Sequence, residues 1–167
     1  METTKNPIFD NMTPITQLKT AQDLTSAEFL AQRVKEAYQT LASESVADVE
    51  SLYTNDVYFE DPSHAIQGKT QLIRYFDKMF RNIEHCSFTF HSTITDGSNV
   101  CLTWTMFLNH PKLRRGDTIR IEGASYLKTR NGKIYYHRDY FDMGSMLYEH
   151  LPFLGRIILR LKQRLGQ

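Results

Sequence analysis

The chain has 167 residues, 41% of them apolar and 23% charged, with a formal net charge of +1. That length supports one domain with a true core and leaves too little chain for two, and the balanced charge removes any global case for nucleic acid or an acidic partner. Glu2, Lys5 and Asp10 stand where a secretory segment would be apolar, and no apolar run approaches the ~20 residues of a membrane span, so the sequence reads as that of a soluble, cytoplasmic protein.

Residues 1–24 are polar, carry Pro7 and Pro14 and lack sustained periodicity, which predicts an extended N-terminal arm. Thr25 and Glu28 then form a capping box that satisfies backbone donors at a helix start. Leu30, Val34, Ala37, Tyr38 and Leu41 follow at helical spacing, which carries the first helix to about Ala42. A short second helix is expected over Val46 to Tyr53, with Val49, Leu52 and Tyr53 inward. Asn55-Asp56 makes a turn, and Val57 to Asp61 reads as a strand stopped by Pro62. Gly68-Lys69 opens a third helix whose apolar stripe is Leu72, Ile73, Phe76, Met79, Phe80 and Ile83.

From Cys86 onward the period changes to two. Cys86, Phe88 and Phe90 alternate with polar residues, and so do Val100, Leu102, Trp104, Met106 and Leu108 beyond the turn at Asp96-Gly97. Thr118 to Lys128 is a further strand, and Asn131-Gly132, the strongest short hairpin signal, leads into Lys133 to Asp142. Strand alternation puts Tyr135, His137, Asp139 and Phe141 on one face, with Ile134, Tyr136, Arg138, Tyr140 and Asp142 on the other. Three helices with one short strand among them, then an antiparallel meander, define an α+β fold in which helices close a strongly curved sheet over a conical pocket. The domain is expected over residues 25–145.

Residues 146–167 differ in kind. Leu151, Leu154, Ile158, Leu161 and Leu165 form an apolar stripe with Phe153 and Ile157 beside it, and Arg156, Arg160, Lys162 and Arg164 lie mostly opposite. This is a cationic amphipathic helix, one that docks on the sheet or a second subunit, or makes a weak membrane-surface contact.

The order of these elements, with Leu52-Tyr53 to Asp61-Pro62, Gly68-Lys69 and the closing His137-Arg138-Asp139-Tyr140-Phe141-Asp142, resembles the SnoaL-like branch of the nuclear transport factor 2-like superfamily over residues 26–145. The resemblance implies a cone-shaped fold, commonly paired as a homodimer through the sheet. It also implies kinship with ketosteroid isomerases, limonene-type epoxide hydrolases, polyketide cyclases and non-catalytic binding modules. On it, Asp61 matches the general base of the isomerases, and Tyr38 lies one position from their helix tyrosine. Their strand carboxylate falls near Ala124 or Ser125, where this chain has none. Asp139 matches the hydrolase carboxylate that helps activate water, whereas the positions of its Arg and second Asp partners hold Trp104 and Met106.

The candidate catalytic residues are therefore Asp139, His137 and Asp61, and the candidate walls of an apolar small-molecule pocket are Tyr38, Trp104, Met106, Tyr126 and Phe141. His137 and Asp139 read either as a cooperating acid and base or as a satisfied polar pair. Asp61 reads either as a base or as a turn carboxylate before proline, and the aromatics read as core or as pocket. No cofactor is expected, because phosphate-binding glycine loops are absent. Metal ligation has no H-x-H or H-E-x-x-H pattern behind it. Cys86 and Cys101 have no metal or redox spacing and read as reduced buried thiols. Two functions follow: a cofactor-free acid–base enzyme of the isomerase, cyclase or hydratase type, or a non-catalytic module for ligand binding or dimerisation.

Overall fold

The structure, a computed structural model, describes residues 26–40, 47–81, 83–151 and 153–165. The N-terminal arm, Thr25 of the capping box and the predicted end of the first helix lie outside the described residues. The helices α1 (Ser26–Thr40), α2 (Ala47–Leu52) and α3 (Lys69–Arg81) pack against a six-stranded mixed sheet ordered β2-β1-β6-β5-β4-β3. The strands are β1 (Tyr53–Glu60), β2 (Ala65–Gln67), β3 (His85–Asp96), β4 (Asn99–Asn109), β5 (Ile119–Arg130) and β6 (Lys133–Phe141). β1 runs parallel to β6 and every other ladder is antiparallel. After β6 come α4 (Met143–Met146), a 3-10 turn at Tyr148–His150 and α5 (Leu154–Leu165).

The apolar stripes foreseen in α1 and α3 form the main core. Leu30, Val34, Leu72 and Phe76 are buried against Val57, Phe59, Leu102, Leu127 and Ile134 of the sheet. Apolar side chains withdrawn from water by both layers supply most of the driving force, at about 25 cal/mol per Å². A second cluster gathers Cys86, Trp104, Leu108, Ile119 and Ile121 at the other end of the long strands, with Met146 and Leu147 packed on it. Asn131 and Gly132 make the expected turn with φ of 52 and 69°, the pair of left-handed residues a tight hairpin needs. At the β3–β4 hairpin the turn is Gly97-Ser98, one residue later than expected, because Asp96 pairs with Asn99.

Four expectations need correction. Tyr53 does not end the second helix; it begins β1, paired with Ile134. The short strand β2 was hidden in the residues after Pro62. The alternation of β6 is broken by a bulge, since Lys128 pairs with Tyr136 and Thr129 with Ile134, which leaves Tyr135 unpaired on β5. Ile134 is therefore in the core and Tyr135 lies under the Arg130 guanidinium. Finally, Cys86 is buried, and burial pushes its thiol up to about 12, but Cys101 is only half-buried.

Candidate active site

The inner face of the sheet and the facing sides of α1 and α3 enclose a cavity of about 490 Å³. Its walls are overwhelmingly apolar: Phe76 and Phe80 from α3, Phe88 and Phe90 from β3, Trp104 and Met106 from β4. Met143, Met146 and Leu147 line it from the α4 segment. Polar groups reach it around Asp139 and around Asp61, and Lys78 of α3 also lines it.

The first is the end of a buried hydrogen-bonded chain. Tyr38 Oη lies 2.8 Å from Tyr53 Oη, Tyr53 Oη lies 2.7 Å from His137 Nδ1, and His137 Nε2 lies 2.8 Å from Asp139 Oδ1. From the other side the Ser125 hydroxyl donates to the same Asp139 Oδ1 at 2.5 Å, and the Trp104 indole N–H donates to Ser125 Oγ at 2.9 Å. An ionised carboxylate only accepts, so its end sets the polarity of the chain. His137 Nε2–H donates to Asp139, which leaves Nδ1 to accept from the Tyr53 hydroxyl, and Tyr53 Oη to accept from Tyr38. His137 in this tautomer satisfies every member, as a buried network requires.

Burial fixes the tyrosines as protonated donors. It raises Tyr38 well above the ordinary phenol range, reinforced by the neighbouring Tyr53 and by the charge of Asp139. It raises Tyr53 as well, with Asp139 adding to the effect while the hydrogen bond to Tyr38 works against it. His137 is 1% exposed, stacked on Tyr53 at 5.9 Å and edge-on to Phe59 at 5.0 Å. Both its nitrogens are engaged, so it acts on the cavity only through Asp139. Both bonds to Asp139 converge on Oδ1, and among the described residues Oδ2 accepts none.

The local sequence explains how Trp104 reaches Ser125. Trp104 and Gly123 are directly paired across β4 and β5, and a Cβ on Gly123 would sit 2.3 Å from the indole ring. The missing side chain lets the indole lie across β5 toward Ser125, two residues on and on the same face.

The second polar group is Asp61, whose Oδ1 accepts from the backbone N–H of Ser63 at 2.6 Å and of His64 at 2.7 Å. Its Oδ2 accepts from the Tyr75 hydroxyl at 2.5 Å. Burial, and then this bond to Asp61, raise the Tyr75 phenol far above its ordinary range. His64 Nδ1 is 3.5 Å from Asp61 and its ring packs on Tyr75 at 4.9 Å. Asp61 thus makes the local turn bonds expected of a carboxylate before proline and also faces the cavity.

The structure brings Asp139, His137, Asp61, Tyr38, Trp104, Met106 and Phe141 together at one cavity. Tyr126 is not among its lining. It points to the outer face of the sheet, where it packs edge-on to Tyr136 and donates to Asn99 at 3.0 Å. On β5 the inward residue is Ser125, because it is the one paired with Asp139. Tyr53, Ser125 and Tyr75 were missed as site residues. Tyr75 had a legible signal, one residue before Phe76 in the α3 stripe. Tyr53 had none, since its partner His137 is 84 residues away. Among the described residues no group of three or more His, Cys, Asp or Glu side chains is placed to hold a metal ion.

Three helices closing a curved, unclosed mixed sheet over an apolar cone define the nuclear transport factor 2-like fold. A model of the SnoaL-like domain matches residues 34–137, and the chain belongs to that family. No curated protein matches it. Among solved structures it is similar to a hypothetical protein with a ketosteroid isomerase-like fold from Catenulispora acidiphila, in complex with trimethylamine (17% identity, 70% of this chain and 89% of that one, TM-score 0.63). It is also similar to a putative SnoaL-like polyketide cyclase from Jannaschia (15% identity, 75% and 94%, TM-score 0.64). A third is AclR, a putative hydroxylase from Streptomyces galilaeus (13% identity, 72% and 92%, TM-score 0.60). At such identities the likeness carries the fold, and function has to be argued from the site.

Proposed function

We propose that this protein is a cofactor-free acid–base enzyme acting on an apolar small molecule, with Asp139 as the group that exchanges a proton with the bound substrate. One observation carries this reading. A carboxylate at the wall of an apolar cavity is held through one oxygen by His137 and Ser125, while among the described residues its other oxygen accepts no hydrogen bond. That arrangement suits a general base: fixed in orientation through one oxygen, with the other left to accept a proton. His137 positions Asp139, and the Tyr53–Tyr38 pair keeps His137 in the donating tautomer. Asp61 with Tyr75 places a second polar group at the same cavity, where it can orient a polar tip of the substrate while Asp139 moves a proton between two of its positions. Isomerisation, cyclisation and hydration all fit that requirement. The cavity walls select an aromatic or polycyclic apolar molecule, since ring faces and edges dominate the lining.

A specific observation favours a second reading, a non-catalytic binding module. The positions that carry the Arg and Asp partners in the epoxide hydrolases are Trp104 and Met106 here, both of which line the cavity as apolar wall. Asp139→Asn separates the two. The amide keeps the shape and can still accept from Ser125, so apolar ligands continue to bind with an unchanged melting curve. Turnover of any substrate found by screening cyclisable or isomerisable aromatic ketones falls by ~100-fold or more, the scale of one lost general base. A variant that turns over at the parent rate sinks the catalytic reading. We further propose that the molecule is a homodimer through the outer sheet face at Tyr58, Tyr126 and Tyr136, which sedimentation equilibrium tests.

A further inference from the structure

Much of the apolar stripe of α5 is open to solvent, although Leu151 and Ile158 are half-buried. Gly155 and Lys162, two helical turns apart, hold the helix down. A Cβ on Gly155 would lie 2.1 Å from the backbone carbonyl oxygen of Glu149, so the glycine lets the two backbones touch. Lys162 Nζ reaches Glu149 Oε1 at 2.5 Å and Asp142 Oδ2 at 3.0 Å. With 3.6 residues per turn, these contacts put the Gly155–Lys162 side against the domain. On the flank of the helix, about a quarter turn from that side, Leu154, Ile157, Leu161 and Leu165 emerge to solvent, 42, 55, 54 and 88% exposed, while Ile158, nearer the domain, is half-buried. Phe153, in a left-handed conformation at φ 68° just before the helix, is 79% exposed. Arg156, Arg160 and Arg164 follow one another at every fourth position along the border of this stripe. All three are exposed, and among the described residues none forms an ion pair. The helix, LGRIILRLKQRL, contains no acidic residue.

We propose that α5 is a membrane-surface anchor that lies in the plane of an anionic lipid bilayer. The stripe is what an acyl boundary would cover, and the three arginines are set to snorkel from its edge to lipid phosphates. The domain contacts that fix the helix leave this flank open to solvent. Charge selects lipid over a second copy of this helix, because an isologous pairing would bring one row of arginines against another. No described helix is long and apolar enough to cross a membrane, so the contact is a surface one. α5 follows closely on Met143, Met146 and Leu147, which line the cavity, and Lys162 ties it to Asp142 at the start of that segment.

The test is co-sedimentation of the full chain with vesicles of phosphatidylglycerol and phosphatidylcholine, against vesicles of phosphatidylcholine alone. Binding is expected only to the anionic vesicles, weakening as salt is raised. Replacing Arg156, Arg160 and Arg164 by Gln should weaken it about fivefold for each charge removed. Ile157→Ser with Leu161→Ser should cost about tenfold or more. Both variants replace exposed side chains and should melt with the parent, and the salt series on the unaltered protein needs no variant at all. Absence of binding to anionic vesicles overturns the proposal. So does a concentration-dependent dimer that the Ile157→Ser, Leu161→Ser variant dissolves, which would make α5 a self-association surface.

Discussion

Ser125 and Asp139 stand directly opposite each other on β5 and β6, and the serine hydroxyl donates to Asp139 Oδ1 across 2.5 Å. Trp104 completes the arrangement by donating to the same Ser125 oxygen. Ser125→Ala removes the donor to Asp139 and leaves the indole N–H without its acceptor. The expected loss of stability is about 1–3 kcal/mol, read from urea unfolding. The base also loses one of the two bonds that orient it, so the affinity of the cavity for a polar-tipped ligand should fall with it. An unchanged unfolding midpoint would mean that this serine bond contributes nothing.

The buried chain predicts that its middle matters more than its end. Tyr53→Phe deprives His137 Nδ1 of a donor and Tyr38 of an acceptor, at a cost of about 1–3 kcal/mol. Tyr38→Phe deletes only the terminal donor and should cost ~1 kcal/mol or less. Denaturant midpoints of the two variants give the order directly, and equal losses would argue against the chain as drawn.

Gly123 is predicted to tolerate no side chain. Gly123→Ala drives a Cβ into the Trp104 indole and should destabilise the protein by about 1–3 kcal/mol, the usual cost of overpacking. Trp104 is the chain's one tryptophan, so its emission reports the same event as a spectral shift. The same signal should respond when an apolar ligand enters the wild-type cavity.

The tyrosines make stability fall in alkali. Tyr38, Tyr53 and Tyr75 are held above the unfolded phenol value by burial. The unfolded chain therefore releases protons at about pH 10 that the folded chain retains. Stability from these groups is fully present below that pH and is lost as pH rises beyond it. Tyrosinate absorbance near pH 10.5 should accordingly fall short of the nine tyrosines in the sequence, recovering the remainder only as the protein unfolds. A full titration of all nine with near-ultraviolet dichroism intact would contradict the buried network.

Much of this was written in local pattern. The stripe of α3, the period-two run of β3 and β4, and the left-handed pair Asn131-Gly132 need only near neighbours to take their form, because spacing decides which side chains share a face. The same reasoning put His137 and Asp139 on one face and marked Trp104 and Met106 as wall. What pattern did not contain was everything set by partners far along the chain. Tyr53 became a strand residue because β6 offers it a parallel ladder at Ile134, 81 positions later. The bulge at Tyr135 shifted the parity of Ile134, and the register of β5 on β6 turned Ser125 inward and Tyr126 outward. The sequence by itself determined an α+β cone with His137 and Asp139 on one face near its apolar interior. Tertiary structure alone decided that His137 is sealed behind Asp139 by Tyr53, and that α5 is docked by glycine and lysine with much of its apolar stripe open to solvent. Both depend on contacts whose members carry no local signal of each other.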